Sequence, residues 1–130
     1  MAFHAAIRRA VAAKLREAPA LPAPVFSSPP ANQKLPMIFI GQIVADEPLA
    51  KGSPGGWYAV GIESMVQTAS PAELDALSDA VAARLDGAAL SDPGASLSAP
   101  FLEAESETYE PDAPGGPVIA RISTWRIFAQ

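Results

Sequence analysis

The sequence predicts an α+β fold: an antiparallel or mixed sheet of about four strands with two helices packed on one face, in the order α-β-β-α-β-β. Three patterns carry this reading. Apolar residues recur at helical spacing from Phe3 to Leu15 and again from Leu74 to Leu85, they alternate from Trp57 onward, and they run almost without break from Met37 to Ala45. At 130 residues the chain fits one domain, 1–130, with a real core and little room for a second.

The first helix places Phe3, Ile7, Val11 and Leu15 on a narrow stripe, flanked by Ala6, Ala10 and Ala13, with Arg8, Arg9, Lys14 and Arg16 on the polar side. It must stop near Ala18, because Pro19, Pro22 and Pro24 each lack a backbone donor and fix their own φ. Residues 19–34 are therefore an extended connection, with Val25 and Phe26 available to pin it to the core. The apolar run Met37 to Ala45 suits a central strand buried on both faces. Asp46 to Gly56, with two prolines, three glycines and Lys51, is expected to be a long mobile loop able to carry contacts.

From Trp57 to Thr68 the alternation of Tyr58, Val60, Ile62 and Val66 with Ala59, Gly61, Glu63 and Gln67 predicts a half-buried strand. Ser70 then opens a second helix, with a capping box formed with Glu73 and Pro71 at the first helical position. Leu74, Leu77, Val81 and Leu85 form its buried stripe, and Gly87 ends it. The last segment reads as a hairpin. Sorting apolar from polar side chains on both strands sets Glu105 opposite Arg121 and Phe101 opposite Trp125, with Leu102, Ala104, Val118, Ala120 and Ile122 as the core face.

A formal net charge of -5 and no global basic footprint argue against nucleic-acid binding as the primary task. The absence of cysteine removes disulfides, thiolate metal sites and thiol nucleophiles together. Met1 to Arg9 lacks the order of a secretory signal, and no run approaches the roughly 18 apolar residues of a membrane span, so the expectation is a soluble protein made in the cytoplasm, without membrane contact. His4 has no acidic neighbour in sequence and reads as a rim residue, no metal-ligand spacing occurs, and Gly52-Ser53-Pro54-Gly55-Gly56 lacks the Lys-Ser/Thr of a phosphate loop. No catalytic residue, cofactor or metal site is expected.

Two patterns remain. Glu103, Glu105 and Glu107 recur at strand spacing, either as a solvated sheet face or as an acidic, channel-facing wall along which DNA slides without sticking. Trp57, Phe101 and Trp125 are either core or anchors of a subunit or tube interface.

With these elements placed, the chain resembles the tail-terminator, or tail-completion, proteins of long-tailed bacteriophages and gene transfer agents. The carriers are AFHAAIRRAVAAKLREAPAL, PVFSSPPANQKLPMIFIGQ, SPAELDALSDAVAARLDGAAL and the terminal VIARISTWRIFAQ. In that family the Leu-Pro entry into the first strand and an Ala-rich helix ending in Leu-Asp-Gly recur. The resemblance implies a non-enzymatic virion protein, assembled in the bacterial cytoplasm and found at the neck end of the tail. There it forms a homo-oligomeric, hexameric ring on the last ring of tail tube protein, stops tube growth and joins the head-tail connector, with DNA passing through the lumen without specific binding. Rival readings are another connector or stopper ring, a small cytoplasmic ligand-binding domain, or, weakest, a hydrolase built on His4.

Overall fold

The computed structural model describes residues 2–28, 34–46, 55–67 and 70–130. Helix α1 spans His4–Leu15, strand β1 Val25–Phe26, β2 Met37–Ala45, β3 Gly56–Val66, helix α2 Pro71–Leu85, β4 Phe101–Glu110 and β5 Val118–Ala129. The strands form one mixed sheet in the order β1-β2-β3-β5-β4, parallel between β1 and β2 and antiparallel elsewhere. The predicted helices and four long strands are present, and β1 is a short fifth strand formed by the two residues assigned to pin the proline segment. The long loop predicted over 46–56 lies, from 47 to 54, outside the described residues.

Both helices cover the same face of the sheet. Ile7, Val11 and Leu15 of α1 and Leu74, Leu77, Val81 and Leu85 of α2 meet Ile38, Ile40, Tyr58, Val60, Ile62, Trp125 and Ile127 in one continuous core. Its polar atoms are satisfied inside it. The Phe3 N–H donates to the Tyr58 hydroxyl at 3.1 Å, and the Trp125 indole N–H donates to Ser123 Oγ at 2.9 Å, which in turn faces the Ile62 carbonyl at 3.4 Å. No buried side-chain nitrogen or oxygen lacks a partner among the described residues, in keeping with the cost of leaving such a group unpaired.

The two helices are also joined by an arginine. Arg84, in the last turn of α2, donates to the carbonyls of Lys14, Leu15, Glu17 and Pro19 at 3.5, 3.4, 2.8 and 2.6 Å. These groups end α1, where carbonyls lack helical partners and the helix dipole is negative, so a cation is favoured there. At the other end of α2, Ser70 takes the N-cap position and Pro71 the first helical one, but the predicted side-chain capping bond does not form. Gly87 follows the helix at φ 69°, the left-handed conformation that glycine adopts without strain. No helix among the described residues is long and apolar enough to cross a membrane.

Two sequence expectations are corrected. β2 is not central: β3 and β5 hold the middle of the sheet, and outside β2 there is only β1, paired at Ile38 and Phe39. Its burial alternates along the strand instead of being complete on both faces. A bulge between Ile40 and Ile43 bends it, and Arg8 Nη1 donates to the Ile40 and Gly41 carbonyls at 3.1 and 3.2 Å.

The hairpin register also differs. Phe101 opposes Arg126 and Leu102 opposes Trp125; past a bulge at Glu103, Glu105 opposes Ser123 and Glu107 opposes Arg121. A shift of one residue exchanges the faces of a strand. Trp125 therefore points into the core, away from Phe101, and Ile122 and the buried Ala120 lie on the face opposite the helices. Apolar sorting failed because every residue of β4 is exposed, so its pattern carries no information about which face is buried.

Trp125 is 1 % exposed. Trp125→Ala is expected to lower unfolding free energy by about 3–5 kcal/mol, the range for deleting a large buried side chain, read as a reduced urea midpoint with an unchanged slope.

Candidate functional site

Among the described residues, no layer covers the face of the sheet opposite the helices. Adjacent strands β2, β3 and β5 build a shallow groove of about 430 Å³ there, lined by Phe39, Gly41, Val44, Ala59, Gly61 and Ile122 among others. Gly41 and Gly61 form its floor because neither carries a side chain: a Cβ on Gly41 would lie 3.5 Å from the Gly61 carbonyl oxygen. Val44, on the rim, is 44 % exposed.

An aromatic cluster continues this surface. Trp57 of β3 meets Phe101 of β4 edge-on at a centroid distance of 5.9 Å and Phe128 of β5 at 5.3 Å. Trp57 is 40 % exposed and Phe101 48 % exposed, values that oppose the usual burial of large aromatic side chains. The Arg126 guanidinium lies 5.8 Å from the Trp57 ring centroid and is held there by both carboxylate oxygens of Asp46. A cation over an indole face is an attractive contact. Hydrogen bonding from Arg126, more than simple proximity of charge, holds the Asp46 carboxyl below its ordinary pKa.

Of the predicted interface anchors, the structure thus brings Trp57 and Phe101 together on the uncovered face and places Trp125 in the core. The predicted acidic stripe does not occupy one face. The bulge sends Glu103 toward Arg126, at 3.9 Å, whereas Glu105 and Glu107 approach Arg121 at 3.9 and 2.5 Å. Arg121 also binds Asp75 of α2 at 2.5 Å, so this arginine ties the edge of the sheet to the helix layer. Sequence reading missed Phe128 and Arg126 as members of the aromatic cluster; their spacing of two from each other was the available signal, obscured by assigning Trp125 to that face.

His4 lies edge-on to Tyr58 at 5.2 Å, with its ring against the core margin, as a rim residue does. No cluster of three or more metal-ligating side chains occurs among the described residues.

A sheet with helices on one side and a bare groove with half-exposed aromatics on the other has the surface of an α+β protein that works in contact with other chains. The comparisons with known proteins give that class a family. The model of the family described as Tail completion protein gp17 matches residues 5–125, and the chain belongs to this family. It is a structural component of the tail of a phage-like virion. No curated protein matches the sequence. Among solved structures, a chain described as part of the "Virion of native gene transfer agent (GTA) particle" superposes with a TM-score of 0.81 at 19% identity, covering 98% of this chain and 97% of that one. At that identity the likeness shows a shared fold.

The Asp46–Arg126 pair gives a pH dependence of defined sign. A carboxyl whose folded pKa is lowered adds stability above its unfolded value, near 3.8, and loses it as pH falls through the folded one. Asp46→Asn is therefore expected to melt below the wild type at neutral pH. The two melting temperatures should approach each other as pH falls below the unfolded value and through the lower folded one, as followed by circular dichroism.

Proposed function

We propose that this protein acts, without enzymatic activity and as a single domain over residues 1–130, as the terminator of a phage-like tail. In this reading copies of the chain close into a ring, a hexamer by resemblance to tail terminators, on the last ring of tail tube protein. The ring stops tube growth and presents its other side to the head-tail connector, at the neck end of the particle. DNA passes through the lumen without specific binding.

The observation that carries this reading is the uncovered apolar face, combined with membership in the tail completion family. A monomer that leaves Val44, Trp57 and Phe101 in water forgoes the stabilisation that burial gives, and an interface recovers it. The apolar run of β2, interrupted only by Gln42, has the same explanation: its second set of side chains faces the groove, not the helices. Rings require head-to-tail contacts that close by rotation, and a surface spread over one face of the sheet serves such a contact or the contact with the tube.

Mass by light scattering, with and without tail tube protein, followed by negative-stain imaging, tests the proposal. Rings on tube ends support termination; a monomer indifferent to tubes overturns it, and rings that bind only connector make the protein a stopper instead.

Replacing both Trp57 and Phe101 with glutamate is expected to abolish assembly while leaving the far-ultraviolet spectrum and a cooperative melt intact. Assembly equal to wild type would remove these residues from the interface.

A further inference from the structure

The two margins of the sheet carry opposite charge. At one margin, β4 and the turn after it hold Glu103, Glu105, Glu107, Glu110 and Asp112, with no lysine or arginine between Phe101 and Pro117. Arg121 and Arg126 are shared there among Asp46, Asp75, Glu103, Glu105 and Glu107, so negative charge remains in excess. The strand is exposed along its whole length and also displays Phe101, Leu102 and Tyr109, the last 63 % exposed.

At the other margin, α1 packs over β1 and β2. Its outer side forms a groove of about 390 Å³ with a small apolar floor of Ala5, Ala12 and Ala13 between Arg8, Arg9 and Arg16. Arg8 and Arg16 spend their hydrogen bonds on backbone carbonyls, those of Ser27, Ile40 and Gly41 and of Val25. Among the described residues neither has a carboxylate partner. Arg9 binds Asp92, yet remains 60% exposed.

We propose that the β4 margin of one subunit docks against the α1 groove of the next, with a second copy of this chain as the occupant. Glu105 and Glu110 meet Arg9 and Arg16, and the exposed apolar side chains of β4 cover the alanine floor. Charge complementarity selects this occupant. It also favours one symmetry: a two-fold contact of β4 with β4 sets glutamate against glutamate, and one of α1 with α1 sets arginine against arginine, whereas the head-to-tail arrangement pairs unlike charges and forms a ring when the rotation between subunits closes. The contact runs through side chains and does not continue the sheet, because β1 and the Arg8 guanidinium already occupy the outer edge of β2 from Ile38 to Gly41.

This inference rests on the ring reading, and a charge-swap pair separates the two. Glu105→Arg with Glu110→Arg makes both margins basic; Arg9→Glu with Arg16→Glu makes both acidic. Each double variant alone is expected to lose assembly, with apparent association weakened about tenfold or more. Mixing the two in equal amounts restores unlike charge at every seam of a ring with alternating subunits, so the mass found by light scattering, or ring formation on tail tube ends, should return to that of the wild type. Variants that assemble singly as well as the wild type overturn the contact and leave the ring in place. Folded variants whose mixture fails to recover overturn it equally. A wild-type chain that stays monomeric with and without tubes removes the ring reading and this contact with it.

Discussion

The placement of both helices on one face of the sheet depends on the contact between Arg84 and the end of α1. A helix that stops at a proline segment leaves carbonyls without partners, and here the Arg84 guanidinium gathers those of Lys14, Leu15, Glu17 and Pro19 into a single site. This fixes α1 beside α2. Two helices held side by side cover one face of the sheet over β2, β3 and β5, and the described residues supply no third helix for the other. The bare groove over Gly41 and Gly61 is thus a consequence of how the helices are joined.

The uncovered face is apolar, but it is not unguarded. Arg126 lies over Trp57 and takes its charge partner from Asp46, which places a solvated ion pair beside the half-exposed aromatic rings. Arg121 does the same work at the helix side, joining Glu107 and Asp75 across the edge of the sheet. Such exposed pairs add little stability each. Their effect here is positional: they add side-chain ties to β4, a strand exposed along its length and otherwise held by its ladder with β5 and by the Phe101–Trp57 contact.

Most of the architecture was legible in the chain. The helical spacing of Phe3, Ile7, Val11 and Leu15, the stripe from Leu74 to Leu85, and the alternation after Trp57 each report burial against one partner surface, and each element formed where its period placed it. The readings that failed concern strands whose burial the single chain does not decide. β2 is apolar on two faces but covered on one, which a periodicity argument renders as a central strand. β4 is covered on neither, so its register followed from β5, already paired to β3, and from a bulge at Glu103 that no spacing announces. Trp125 changed sides for that reason. The position of the candidate site was legible only in part, because Trp57 and Phe101 meet through sheet order, and sheet order was the least constrained quantity in the sequence.

The blocked edge of β2 bears on the fate of subunits made before their partners are at hand. Fibrous aggregation by strand addition requires two open edges on every molecule, one to accept and one to offer. In this chain the two-residue β1, the Arg8 guanidinium and the bulge after Ile40 take away the first stretch of one of them. The edge along β4, by contrast, is open over its whole length. The β2 margin of the sheet is thus a poorer acceptor for an added strand than a long free edge would be.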